Sequence, residues 1–317
     1  MNIMDIKLAG RFTVSTIKDG EVTKSLEFPN LILNSGLNYV CQGNSLSSAY
    51  QQVSVGSGTT PPDVGQTSLV NPIGSPTGLS PSPNTEVYDP VAHTMTQTVR
   101  KRFPIGAVVG NVAEIAMGWG TSTIPTERVK TFSRALIVDG SGLPTVLPVL
   151  ADEQLDISYT LVINMPWVEQ TTSLTINGVP TTVSSILRTA AYYDTAAGWF
   201  GNWVGGVGGA QAHANGQTLS TCTQFLPATS NAVGTSIPVG VGTAGWTETV
   251  EPYVLGSFKT VRHFTTVAGR IPTGKLALND SVLAQNGPRV SHRFVPPINV
   301  LNTQRVRFTM GITLSRA

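Results

Sequence analysis

The 317-residue chain has only 12% charged residues, a net charge of +2, 32 glycines and 21 prolines. That is half the ~25% charge of typical soluble chains, too little Glu, Lys and Arg to wet long amphipathic helices, and +2 is too weak to imply a polyanionic partner. The abundant Thr, Ser, Val, Asn and Gly favour strands and turns instead.

Phe12, Val14 and Thr16 alternate up to Lys18-Asp19-Gly20-Glu21, and Asp-Gly between alternating runs predicts a hairpin returning through residues 22–28. Pro29 ends that strand, and residues 31–40 suit a short helix. Residues 52–55 read as a strand that stops at Gly56-Ser57-Gly58-Thr59-Thr60-Pro61-Pro62. From there to about residue 90, Pro, Gly, Ser and Asn predict one long surface loop, an interaction arm or a disordered segment.

Residues 94–103, 113–119, 131–138 and 155–163 are further strands, with Ile157, Tyr159, Leu161 and Ile163 on one face. From 166 to about 253 the pattern loosens into a loop-rich stretch. Strands return at 254–267 and at 304–315, where Val306, Phe308, Met310, Ile312 and Leu314 alternate. Short strands without intervening helices predict an all-β fold, an antiparallel β-sandwich or jelly-roll-like, with long Gly/Pro/Ser/Thr-rich loops. Residues 1–165 would form a β-sandwich domain with its long loop at about 56–90, and residues 166–317 a second β-rich region.

The residues offer little chemistry. Arg100-Lys101-Arg102 lies between apolar stretches without a stacking platform and reads as a solvated strand edge, not a nucleic-acid site. Cys41 and Cys222 lack ligand or redox spacing and read as buried thiols. Asp5 and Lys7 interrupt any secretory apolar segment, and no stretch has the ~20 apolar residues of a membrane span.

Gly269 to Gly274-Lys275 has P-loop spacing, but Leu276 stands where the magnesium-binding hydroxyl belongs, and Pro272 interrupts it. Ser141 sits in Gly140-Ser141-Gly142 between strands, which suits a turn better than a nucleophile elbow. His93, His213, His263 and His292 have no metal-ligand spacing. Asp152, Glu153 and Asp156 form the acidic cluster that could serve glycoside hydrolysis or hold calcium, but acidic residues leading into a strand usually form a solvated turn, and that is the preferred reading. Tyr192, Tyr193, Trp199 and Trp203 are the candidate receptor or interface contacts, because aromatic faces stack on sugar rings, although a core or interface role is the commoner use of such residues. No catalytic, cofactor or metal residues are assigned.

Three groups of residues carry a resemblance. The first is Phe28-Pro29-Asn30-Leu31-Ile32-Leu33-Asn34-Ser35-Gly36-Leu37 followed by Val55-Gly56-Ser57-Gly58-Thr59-Thr60-Pro61-Pro62. The second runs from Gly110-Asn111-Val112-Ala113-Glu114-Ile115-Ala116-Met117-Gly118-Trp119 through Phe132-Ser133-Arg134-Ala135-Leu136-Ile137 to Leu150-Ala151-Asp152-Glu153-Gln154-Leu155-Asp156-Ile157, and the third is Phe294-Val295-Pro296-Pro297-Ile298. In this order they resemble tailed-bacteriophage virion proteins of the tail, tail-fibre or collar type, across about half the chain.

The resemblance implies a non-enzymatic structural component of the virion, made in the bacterial host cytoplasm. Its expected partners are other copies of itself and other tail, neck or capsid proteins, with no specific nucleic acid, no membrane insertion and no cofactor. The alternative is a receptor-binding tail protein that recognises a host surface glycan or protein through the aromatic 192–203 region. A tail-associated depolymerase using Asp152 or Glu153 ranks third.

Overall fold

The computed structural model describes residues 2–42, 44, 46–74, 85–89, 92, 94–119, 130–164, 170–176, 178–188, 246–266, 274–282, 289–300, 303, 305 and 307–317. The chain divides into two units, one of Ile6–Met165 with Leu314–Ala317, the other of Met1–Asp5 with Pro166–Thr313. Among the described residues almost all the regular structure is strand, and the strand pairs whose register is defined are antiparallel.

The elements of the first unit start with β1 (Asn2–Lys18), whose first residues belong to the second unit, β2 (Glu21–Pro29), β3 (Leu31–Ile32), α1 (Asn34–Cys41) and α2 (Leu46–Ala49). They continue with β4 (Gln52–Gly56), β5 (Pro72–Gly74), β6 (Thr85–Asp89), β7 (Thr94–Phe103), β8 (Gly110–Val112), β9 (Glu114–Trp119), β10 (Lys130–Leu136), β11 (Leu147–Val149) and β12 (Gln154–Asn164). β2–β1–β12–β7–β6 form one sheet and β3–β10–β9–β4–β5 a second, with β8–β11 a separate pair.

The Asp-Gly hairpin forms as predicted. Lys18 pairs with Glu21, and Asp19 and Gly20 both take positive φ, 52° and 87°, the two left-handed positions that such a tight turn demands. Alternation along β1 and β12 then places Phe12 opposite Tyr159 and Val14 opposite Ile157, all buried. The rings of Phe12 and Tyr159 lie 5.1 Å apart, Tyr50 lies 5.9 Å from Tyr159, and Phe132 of β10 lies 6.1 Å from Tyr50. This chain of rings is the core between the two sheets.

Helix α1 turns Gly36, Leu37, Val40 and Cys41 inward. Gly36 is required by close approach: a Cβ there would stand 2.6 Å from the Phe132 carbonyl oxygen and 2.8 Å from its Cα. The helix is tied to β10 by the Leu33 N–H donating to the Phe132 carbonyl and by the Ser35 hydroxyl donating to that of Thr131.

Burial pushes the Cys41 thiol from 9.0 up to about 12 and the Tyr159 phenol from 10.0 up to about 12. Both groups ionise earlier in the unfolded chain, which therefore binds fewer protons across this range, so stability is expected to fall from about pH 9 toward 12. Each group contributes about 1.4 kcal/mol per pH unit over its own window. Urea denaturation at stepped pH would show it, with Tyr159→Phe and Cys41→Ala each flattening the slope. A native stability constant over this range would contradict it.

The second unit contains β13 (Gln170–Ile176), β14 (Val179–Arg188), β15 (Trp246–Val250), β16 (Lys259–Thr266), β17 (Gly274–Val282), β18 (Arg289–Val300) and β19 (Arg307–Arg316), whose last residues belong to the first unit. β13–β14–β18–β17 form a sheet, and β15–β16–β19 pair in that order.

Several expectations need correction. The stretch 56–90, read as one loop, contains β5 and β6; both are short, and their turn-rich surroundings hide them. The stretch 166–253, read as loop-rich, contains the β13–β14 hairpin and β15. β13 is Thr- and Ser-rich and exposed along both faces, so it carries no alternation to detect. The closing strand at 254–267 begins only at Lys259, and Gly274-Lys275 opens a strand instead of the helix a P-loop requires. Phe294-Val295-Pro296-Pro297-Ile298 lies inside β18, where the register with β17 jumps from Leu276–Ile298 to Leu278–Arg293. That irregularity accommodates two prolines that have no N–H to give the ladder.

Candidate functional site

The aromatic candidates Tyr192, Tyr193, Trp199 and Trp203 lie outside the described residues, as do Cys222, His93, His213 and Gly269. The acidic cluster is dispersed into three separate structural contacts. Asp152 pairs with Lys18 at 2.6 Å. Glu153 accepts from the Thr23 hydroxyl at 3.0 Å and the Leu150 N–H at 2.9 Å. Asp156 is buried beneath Arg100, whose Nε and Nη2 donate to it at 2.8 and 2.7 Å, and Arg102, whose Nε donates at 2.6 Å.

The basic run therefore serves as a double clasp on a strand carboxylate. The hydrogen bonds of Asp156 hold the Arg100 guanidinium above its usual range, while desolvation lowers Lys101 on the opposite face. Ser141 sits in a turn capped by Asp139, which accepts from the Ser141 hydroxyl and from the Ser141 and Leu143 N–H groups and is held below the usual carboxylate range by them. His263 bridges strands, with Nε2 2.9 Å from Glu251 Oε1 and Nδ1 2.9 Å from Thr309 Oγ1. Among the described residues no group of three or more His, Cys, Asp or Glu side chains could hold a metal ion, and no helix is long and apolar enough to cross a membrane.

The site that the fold does build is an exposed loop fastened to a buried ion pair. Glu114 at the start of β9 and Arg134 on β10 are diagonal neighbours, since Glu114 is opposite Leu136 and Arg134 opposite Ala116. Both side chains are 0% exposed, and Arg134 Nη2 and Nε donate to Glu114 Oε2 at 2.7 and 2.9 Å. An ion pair this deep repays its desolvation only when the remaining donors and acceptors are matched. Residues 57–71 provide the match.

Glu114 accepts the N–H groups of Gly58, Val70 and Asn71 at 3.1, 3.1 and 2.8 Å. Arg134 donates to the Thr60 carbonyl and to Gln66 Oε1, each at 2.8 Å. The same Gln66 oxygen accepts the Asp63 N–H at 2.9 Å. At the loop's margins, Ser57 N–H donates to the Asn71 carbonyl, Asn34 N–H to Val64 and Thr131 N–H to Thr67. Gly56 permits the approach, since a Cβ there would stand 2.5 Å from Glu114 Oε1.

What faces outward is Thr59, Thr60, Pro61, Asp63, Val64, Thr67, Ser68, Val70 and Asn71, with Asp63 the single charge in 57–71. Such a surface offers hydroxyls, carbonyls and apolar edges in one fixed shape, which lowers the entropy lost on binding. Sequence reasoning met Glu114 and Arg134 as members of the second resembling group and did not single them out as a pair. Two opposite charges on neighbouring short strands, Glu114 opening an otherwise apolar one and Arg134 between Ser133 and Ala135, were the available signal.

A second exposed feature lies around the β8–β11 pair. Gly110 is opposite Val149, so Val109 and Leu150 flank the pair on neighbouring strands, and a Cβ on Gly106 would come 3.4 Å from the Ala151 carbonyl. Ile105 and Val109, on the segment leading into β8, and Leu143, Val146 and Leu150, on the segments flanking β11, are all exposed. In comparisons with known proteins, no family model, no curated protein and no solved structure matches this chain.

Proposed function

We propose that this chain is a non-enzymatic structural component of a tailed-bacteriophage virion, in the tail, collar or fibre, assembling with copies of itself and with neighbouring virion proteins. The observation that carries this reading is the 57–71 loop, held rigid by a buried ion pair and presenting an almost uncharged surface. It is built by residues of the first two groups on which the resemblance rests: Gly58 and Thr60 from one, Glu114 and Arg134 from the other. The exposed apolar residues near β8 and β11 supply a contact surface of the kind that subunits bury on association.

Two measurements test it. Antibody against the chain, applied to intact particles and read by electron microscopy, should label the tail, neck or fibre. Labelled particles that adsorb normally mark a structural connector, whereas blocked adsorption with label at a distal tip favours receptor binding. Particles without label refute both.

Self-association gives the second measurement. Ile105→Asp with Leu143→Asp, at positions 62% and 63% exposed, should leave the fold intact and shift the assembly to smaller species in light scattering. An unchanged mass for the variant would remove this surface from the subunit contact.

A further inference from the structure

Four buried polar atoms of the first unit have no hydrogen-bond partner among the described residues: the Tyr159 hydroxyl, the Ser133 hydroxyl, and both Oδ1 and Nδ2 of Asn30. The fold gathers them from both sheets. Tyr159 of β12 stands opposite Phe12 and therefore diagonal to Gly10 of β1, while the Asn30 N–H donates to the Gly10 carbonyl at 3.0 Å. Ser133 comes from β10 of the facing sheet.

Gly10 leaves room for these polar heads. A Cβ there would stand 2.8 Å from the Tyr159 oxygen and 2.9 Å from Asn30 Nδ2. Tyr159 and Ser133 are 0% exposed. Ser133 and Asn30 approach the Tyr159 phenol closely enough to interact with it as hydrogen-bonding groups and oppose the upward push of its burial, but the contacts lack the geometry of well-formed hydrogen bonds, and all four atoms are left without one. Natural proteins rarely leave one buried polar atom unpaired, and four around one spot demand a shared partner.

We propose that Tyr159, Ser133 and Asn30, gathered over Gly10, form a binding site for one ordered internal water molecule that links the two sheets. The chemistry suits water better than other small ligands. The cluster combines donors, the Asn30 amide N–H and two hydroxyls, with acceptors, Asn30 Oδ1 and the same hydroxyl oxygens, and a water both gives and takes. A cation would find no carboxylate here and would meet the Asn30 amide donor. An internal water of this kind typically makes ~3 hydrogen bonds to polar groups that would otherwise go unsatisfied.

A crystal structure of the full chain at a resolution that shows ordered solvent tests this, together with water-selective NMR on the same protein. The expected result is a density peak ~2.7–3.2 Å from Tyr159, Ser133 and Asn30, with cross-peaks from a long-lived water to neighbouring protons. Tyr159→Phe should keep the fold and lower the occupancy of that peak. Three results would overturn the proposal: direct hydrogen bonds among the three side chains with no peak between them, a side chain from elsewhere in the chain occupying the position, or a peak with the short, all-oxygen contacts of a cation.

Discussion

Arg134→Ala is expected to cost the first unit about 3–5 kcal/mol, because it strands the Glu114 carboxylate in a fully buried position. The backbone N–H groups of Gly58, Val70 and Asn71 still face that carboxylate, but the Thr60 carbonyl and the Gln66 amide lose their donor in the same step. A fall in the urea midpoint would measure the loss. Hydrogen exchange at Gly58, Val70 and Asn71 would show whether the loop is released along with it. Combining Arg134→Met with Glu114→Gln should recover part of the stability, since no charge is then left buried while the substituted amide still offers the loop an acceptor oxygen. A cost below about 1 kcal/mol for Arg134→Ala would mean that the pair does not hold the loop.

Phe132→Ala is expected to be comparably damaging, at about 3–5 kcal/mol, through the cavity it opens between α1, β10 and Tyr50. Gly36→Ala should cost about 1–3 kcal/mol by the opposite mechanism, pushing the helix off the Phe132 backbone. Because that added methyl group would also meet the Phe132 ring at 2.6 Å, the double variant should be less destabilised than the sum of the two single ones. Strict additivity, measured by the same denaturation series, would show that the helix and strand do not share this contact.

How legible these features were depends on whether one segment sufficed. The Asp19-Gly20 turn and the inward face of β12 were readable because the turn chemistry and the alternation are local. β13 was not, since its hydroxyl side chains suit either face of an exposed strand. The glycines and prolines after Val55 suggested a free loop by composition. At Gly56 and Gly58, however, the missing side chain reflects the closeness of Glu114, which lies more than fifty residues further along the chain. The site was illegible for a related reason: Glu114 and Arg134 become partners only through the register of β9 with β10. The acidic cluster is the opposite case: closeness in sequence made joint action a minor alternative to a solvated turn, and the fold employs the three carboxylates separately.

The first unit is not contiguous in the chain. The Ala317 N–H donates to the Leu8 carbonyl at 2.9 Å, and Arg316 donates to the Ile32 carbonyl and to Asn34 beside the helix that packs on Phe132. During synthesis this unit must therefore wait, with the strand edge beside Leu8 open, until the entire second unit has left the ribosome. At ~5–20 residues per second that delay is on the order of ten seconds, long enough for nascent neighbours or a chaperone to reach the open edge before the chain's own closing strand does.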